Sequence, residues 1–234
     1  MIFNKKAFID PLKIEKAELT FYIKCINEGD IILDVGANLG TITLLFSQFA
    51  GENGVVHAFE PTPSTFEKLS QNVFNMNRKN IILNNLAVSD SVGEIIFNTY
   101  EDAYASWNTI ANRPLEKYGI NIQKPVPIKI PTTTIDEYCE INAIKKLDFV
   151  KIDVEGAELS VLKGAKGMFS SKKIKYCSFE FGQTIFDMGN TVNEFIELIH
   201  SFKYKVYNVS KQQKIFPVNY KNMAEFSVLY LIPK

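Results

Sequence analysis

At 234 residues, with 46% hydrophobic and 22% charged side chains, the chain has the size and composition of one globular domain, and 26 basic residues balanced by 26 acidic ones exclude the positive field of a general nucleic-acid binder. Cys25, Cys139 and Cys177 are odd in number and too far apart for a metal-ligand cluster or a disulfide framework. No apolar run reaches the ~20 residues that span a bilayer, and Met1 to Asp10 lacks the basic start, apolar middle and small-residue cleavage site of a signal peptide, so a cytoplasmic, soluble protein without a membrane span is expected, its oligomeric state open.

Residues 1–28 read as an N-terminal helical segment. Leu12 to Ile26 carries apolar residues at helical spacing and stops at Glu28-Gly29-Asp30. Ile31 to Val35 follows as a short strand, then helix Leu39 to Ala50, strand Val55 to Phe59, helix Ser64 to Asn77 and strand Ile81 to Asn85. Short apolar strands alternating with helices imply a parallel sheet covered on both faces and joined by right-handed crossovers. The rhythm breaks at 98–131, which reads as an insertion or lid. On its borders Glu94 to Asn98 and Val126 to Ile130 alternate like a solvent-facing ribbon. It resumes with helix Ile135 to Ile141, strand Leu147 to Ile152, helix Ala157 to Phe169, strand Tyr176 to Phe181 and helix Val192 to Phe202. Tyr204 to Val209 and Phe226 to Ile232 are linked without a helix, which suggests an antiparallel terminal pair. One α/β domain over 1–234 is the expectation.

The first strand-turn-helix, "LDVGANLG", has the layout of a nucleotide-cofactor half-site. Gly36-Ala37-Asn38-Leu39-Gly40 does not space its glycines as a dinucleotide turn needs for close approach of a pyrophosphate. Asp34 puts a carboxylate at the strand end, where it would repel a diphosphate and attract the sulfonium and ammonium of S-adenosylmethionine. Glu60, beside Pro61, can accept both ribose hydroxyls, although an acid there also serves NAD. Asn85, Leu86 and Ala87 close the third strand, where an adenine would lie. The cofactor set is therefore Asp34, Gly36, Ala37, Asn38, Gly40, Glu60, Pro61, Asn85, Leu86 and Ala87, with Asp153 from the strand across the sheet.

The string Leu147 to Ala165, "LDFVKIDVEGAELSVLKGA", resembles a signature of the FkbM family of S-adenosylmethionine-dependent methyltransferases. "DVGANLG" at Asp34 to Gly40, "FEP" at Phe59 to Pro61, "TTTIDEY" at Thr132 to Tyr138 and "FKYKVYNV" at Phe202 to Val209 resemble that family's other blocks in the same order. "KIDVEGAE" is the most specific of these, because "DVGANLG" fits many methyltransferases. The resemblance implies a class I methyltransferase (Rossmann-like) three-layer α/β fold, with a mostly parallel seven-stranded sheet and an antiparallel strand near the C-terminus. It also implies S-adenosyl-L-methionine as cofactor, S-adenosyl-L-homocysteine as product, and O-methylation of a sugar, glycolipid or polyketide-type metabolite.

Ligands of open α/β sheets lie beyond the carboxyl ends of the strands, where Asp34, Glu60, Asp153 and Glu180 are expected. Methyl transfer to a hydroxyl needs alignment and proton removal, so Asp153 is the first candidate for general base or acceptor anchor, with Glu155 and Glu180 behind it. Asp153 and Glu155 also precede a helix whose positive end favours acids, and the three acids could instead hold a divalent cation. No metal is assigned. Tyr104, Trp107 and Asn108, with Tyr100, Tyr118 and Arg113 nearby, either face the acceptor, since rings stack on sugars and polar neighbours read hydroxyls, or belong to a lid that packs on its own core. His57 reads as a satisfied strand histidine, and Lys163, Lys166, Lys172, Lys173 and Lys175 as a solvated face at the other end of the sheet. RNA or protein methylation would share the cofactor; a nicotinamide-dependent oxidoreductase would need the missing glycine spacing, and decay to an inactive cofactor-binding module is opposed by the presence of Asp34, Glu60 and Asp153.

Overall fold

The computed structural model describes residues 16–100, 108–110, 125–208 and 226–234. Helix α1 (Lys16–Cys25) leads into β1 (Ile31–Val35), α2 (Thr41–Ala50), β2 (Val55–Phe59), α3 (Pro63–Asn75) and β3 (Ile81–Asn84). Side chains of β1 and β2 are buried on both faces, as central parallel strands require. Ile32 and Val56 pack with Tyr22, Phe46 and Phe149 under α1 and α2, while Leu33, Val35 and Phe59 join a cluster on the opposite face.

After β3 the chain leaves this sheet. β4 (Ala87–Val88), β5 (Gly93–Thr99) and β6 (Val126–Thr133) form a three-stranded sheet in the order β4-β6-β5, with β5 and β6 antiparallel from Gly93↔Thr132 to Thr99↔Val126. That pairing is the ribbon read from the alternation at 94–98 and 126–130; residues 101–107 and 111–124 of the expected insertion lie outside the described ones. α4 (Ile135–Ile141) then returns the chain to β7 (Leu147–Ile152), followed by α5 (Glu158–Lys163), α6 (Lys166–Ser170), β8 (Ile174–Gly182), α7 (Gln183–Asp187), α8 (Val192–Phe202), β9 (Tyr204–Asn208) and β10 (Phe226–Pro233).

The large sheet has seven strands in the order β3-β2-β1-β7-β8-β10-β9. β3, β2, β1, β7 and β8 run parallel, and β10 runs antiparallel to both β8 and β9, as the family resemblance implies. The order reverses between β1 and β7, so a crevice opens past Val35 and its partner Ile152. None of the helices among the described residues is long and apolar enough to cross a membrane.

Three local expectations need correction. The helix expected over 157–169 is two helices, because the Gly164 carbonyl is captured by the Asp136 N–H (3.0 Å) and the Asp136 carboxylate accepts from the N–H groups of Gly167 and Met168 at 2.6 and 2.8 Å. Gly164 also sits against Ser89, where a Cβ would come within 2.0 Å of the carbonyl oxygen. β3 ends at Asn84, so Asn85, Leu86 and Ala87 do not close it; Ala87 already pairs with Thr132 in the second sheet. β8 runs on to Gly182 and passes directly into α7, a helix without a clear apolar period in the sequence.

Candidate active site

At the reversal point lies a cavity of about 250 Å³. Three groups of residues wall it: Gly36, Asn38, Glu60 and Pro61 from the turns after β1 and β2; Leu86, Ala87, Phe97, Asn108 and Ile110 from the second sheet and its approaches; Asp153, Glu155 and Glu180 from the ends of β7 and β8. Its mix of apolar wall and convergent polar groups suits a small-molecule site.

The first turn is shaped by glycine. Gly36 has φ +84°, and a Cβ there would lie 1.8 Å from the Asp153 carbonyl oxygen, so only glycine lets the turns after β1 and β7 come together. The N–H groups of Gly36 and Ala37 both donate to the Phe59 carbonyl (3.0 and 2.9 Å). The Asn38 N–H donates to Glu60 Oε2 at 3.0 Å and the Thr62 N–H to Glu60 Oε1 at 2.9 Å. Glu60 is thus fixed with one amide on each oxygen and the Thr62 hydroxyl as a further donor, and lone-pair capacity remains for another. Burial raises its pKa, opposed by the Thr62 and Asn38 hydrogen bonds.

Asp34 corrects the electrostatic expectation. It does not face the cavity; it is fully buried, accepting from Thr43 Oγ1 at 2.6 Å and lying 3.7 Å from Lys151 Nζ. Burial raises its pKa, and Lys151 and Thr43 work against that. Ala37, Gly40 and Asn85 also lie behind the cavity wall: Gly40 precedes α2 at φ +88°, and the Asn85 amide donates to the carbonyls of Glu60 and Pro61 at 2.9 and 3.0 Å, bracing the turn from outside. Leu86 and Ala87 do line it.

At the other end Asp153, Glu155 and Glu180 share the cavity. Asp153 Oδ2 accepts from Lys151 Nζ at 3.0 Å, and its side chain keeps 39% of its surface exposed. Burial opposes a charge on Lys151, yet Asp153 and Asp34 together hold its ammonium above the ordinary lysine range. Glu180 is pushed well up, first by burial and then by the charges of Asp153, Glu155 and Glu158. The cation-site alternative lacks a donor set, since among the described residues no three His, Cys, Asp or Glu side chains converge as metal ligands would.

Asn108 joins the second sheet to the turn after β2: its Oδ1 accepts from the Tyr100 N–H at 2.8 Å and its Nδ2 donates to Thr62 Oγ1 at 3.1 Å. Tyr104 and Trp107, the other acceptor-facing candidates, lie outside the described residues, as do Arg113 and Tyr118. His57 is buried, its Nδ1 2.8 Å from the Tyr138 hydroxyl, and burial lowers its pKa. Lys172 donates to the carbonyls of Phe202 and Lys203 just before β8 begins, at the far end of the sheet from the cavity. The three cysteines are buried and free.

Reading the sequence missed Lys151 and Glu158. A lysine inside an otherwise apolar strand signals a buried countercharge, and Lys151 is 6% exposed. Glu158, 1% exposed, passes for an ordinary first-turn acid and carried no such signal.

The sequence profile of the Methyltransferase FkbM domain matches residues 34–206. The chain is similar to the hexuronic acid methyltransferase AglP of Haloferax volcanii, 32% identical over 164 residues that cover 70% of this chain and 61% of AglP; it therefore spans less than two thirds of that relative. Similarity extends to the 2-O-methyltransferase NoeI of Sinorhizobium fredii, 25% identical over 74% of this chain and 72% of NoeI. In fold it is similar to SMU.1697c of Streptococcus mutans, solved in complex with SAH, with TM-score 0.52 and 13% identity over 93% of this chain and 98% of that one.

Proposed function

The chain belongs to the FkbM family of S-adenosylmethionine-dependent methyltransferases, and on that premise we propose that it transfers a methyl group to a hydroxyl of a sugar, glycan or secondary metabolite. The observation that carries the proposal is that one cavity runs from Glu60, held by the Asn38 and Thr62 amides, to Asp153 and Glu180 at the ends of neighbouring strands. The names of AglP and NoeI, a hexuronic acid and a 2-O-methyltransferase, support a sugar-type acceptor.

Bound S-adenosylmethionine supplies an electrophilic methyl on a sulfonium. Glu60 would accept the ribose hydroxyls, Gly36 and Asn38 would shape the turn beneath, and Leu86 and Ala87 would give the adenine an apolar side. Asp153, ion-paired with Lys151, would orient the acceptor hydroxyl. Glu180 would take the proton of that hydroxyl onto its carboxylate as the bound cofactor supplies the methyl. Charges on Asp153, Glu155 and Glu158 raise the proton affinity of Glu180, which suits a general base. Asn108 stands on the acceptor side.

Calorimetric titration with S-adenosylhomocysteine and, separately, NAD tests the cofactor; binding of NAD alone would end the proposal. Incubation with S-adenosylmethionine and a panel of sugars, glycans and metabolites, followed by mass spectrometry for a methyl-sized gain, tests the acceptor.

A further inference from the structure

The turn that carries Asp153 and Glu155 into the cavity has an uncommon backbone. Glu155 has φ +55° and Gly156 φ +108°, and a non-glycine residue in the left-handed region is strained. Gly156 has no alternative, because a Cβ there would meet the Thr184 carbonyl oxygen at 2.7 Å. Such a backbone aims alternate N–H groups at one point and makes a small anion-binding concavity. Here both N–H groups reach a single atom: Glu158 Oε1 accepts from Val154 at 3.0 Å and from Gly156 at 3.3 Å. From the opposite side Thr109 Oγ1 donates to the Glu155 carbonyl at 2.7 Å.

Glu158 Oε2 is buried without a hydrogen-bond partner. Burying a carboxylate in this way is costly, and attraction to the positive end of a six-residue helix needs no oxygen wrapped by two amides. We infer that Glu158 is a positioning residue of the acceptor site, its one engaged oxygen setting the direction in which Asp153 and Glu155 meet the cavity. The inference rests on the proposed reading of the β7–β8 end as the acceptor end. Glu158 acts through the turn and does not line the cavity. The charge of Asp153 on the same turn acts on Glu158, and Glu158 acts on Glu180 of β8, which also feels Asp153, Glu155 and Lys151.

The test follows backbone amide exchange at Val154 and Gly156 and the carboxyl carbon titration of Glu180 by NMR, with and without S-adenosylhomocysteine, in wild type, Glu158→Gln, Glu158→Asp and Glu158→Ala. Glutamine offers the same oxygen, so Glu158→Gln should keep amide protection within about threefold while lowering the Glu180 midpoint through loss of a negative neighbour. Glu158→Ala and the shorter Glu158→Asp, which keeps the charge but not the reach, should each speed exchange at both amides by about tenfold or more. A carboxylate that acts only as a nearby charge would move the Glu180 midpoint and leave both amides protected, so unchanged exchange in Glu158→Ala and Glu158→Asp overturns the inference. If Glu158→Ala does not fold, exchange in Glu158→Asp decides alone. Failure to bind S-adenosylhomocysteine would count against the cofactor reading, and amide exchange of the free protein would still report on Glu158.

Discussion

Glu158 ties stability to pH in a direction opposite to that of most carboxylates. Burial raises its pKa from 4.5 to about 7, opposed by the amide hydrogen bonds it accepts. The folded chain therefore binds this proton more tightly than the unfolded chain. The stability Glu158 contributes is fully present below pH 4.5, falls as pH rises toward about 7, and is flat above. At about 1.4 kcal/mol per pH unit, the interval corresponds to about 3 kcal/mol for this buried group. Glu158→Gln removes the titration and adds a constant cost of about 1–3 kcal/mol for an amide N–H₂ without an acceptor. Urea unfolding of wild type and variant near pH 5 and near pH 8 should show the variant gaining about 2–3 kcal/mol on wild type at the higher pH. Asp34 and Glu60 are shifted in the same sense but are common to both proteins and largely cancel in the difference, while the lower Glu180 midpoint of the variant adds to its gain at the higher pH. A gap between variant and wild type that is equal at the two pH values would refute the reasoning.

Glu60→Ala should weaken S-adenosylhomocysteine binding by about 1–3 kcal/mol in calorimetry, the value of lost hydrogen bonds to a charged acceptor; undiminished affinity would show that the ribose lies elsewhere. Lys151→Met should cost about 3–5 kcal/mol in urea unfolding, because it leaves the buried Asp34 carboxylate without its cation, and a loss below about 1 kcal/mol would mean that the pair does not stabilise the fold. Glu180→Gln should lower methyl transfer by about 10²- to 10⁴-fold with cofactor affinity little changed, whereas a normal rate would remove it as the base. Gly36→Ala should abolish cofactor binding, since the new Cβ would need the space of the Asp153 carbonyl; a crystal structure with β1 and β7 undisturbed would contradict that.

The order of elements was legible because parallel strands buried on both faces leave short apolar runs, and because glycine at a left-handed turn is a local requirement. Strand-end acids were legible by counting, which located Glu60, Asp153 and Glu180 correctly at the cavity. Counting says nothing of the face to which a side chain turns, and Asp34 fell to that. It lies beside Lys151 in the sheet register, and both point under α2, where Thr43 completes the contact. The α5–α6 break was hidden for a related reason, since the groups that cause it, Asp136 and Ser89, belong to distant segments. Glu158 has an ordinary helical position in one dimension; only the folded turn brings two amides onto its oxygen.

With Asp34 behind the wall, the preference for a sulfonium cofactor over a dinucleotide needs a different physical basis, and the amides of the first turn provide it. A pyrophosphate is bound by open N–H groups at the start of the helix after β1. Here those of Gly36 and Ala37 end on the Phe59 carbonyl, that of Asn38 on Glu60 and that of Gly40 on the Ala37 carbonyl. A diphosphate would have to break these bonds and then face the Glu60 carboxylate across the same turn, a repulsion that grows as water is excluded. Ribose hydroxyls meet the opposite situation, because they donate to lone pairs that Glu60 still has. On the proposed reading, Glu60 and the acids ending β7 and β8 set the ligand's charge, and Asp34 serves by tying α2 to β1 through Thr43 and β1 to β7 through Lys151. Asp34→Asn should accordingly lower stability in urea unfolding more than it lowers S-adenosylmethionine affinity in calorimetry. The reverse ranking would return Asp34 to the ligand.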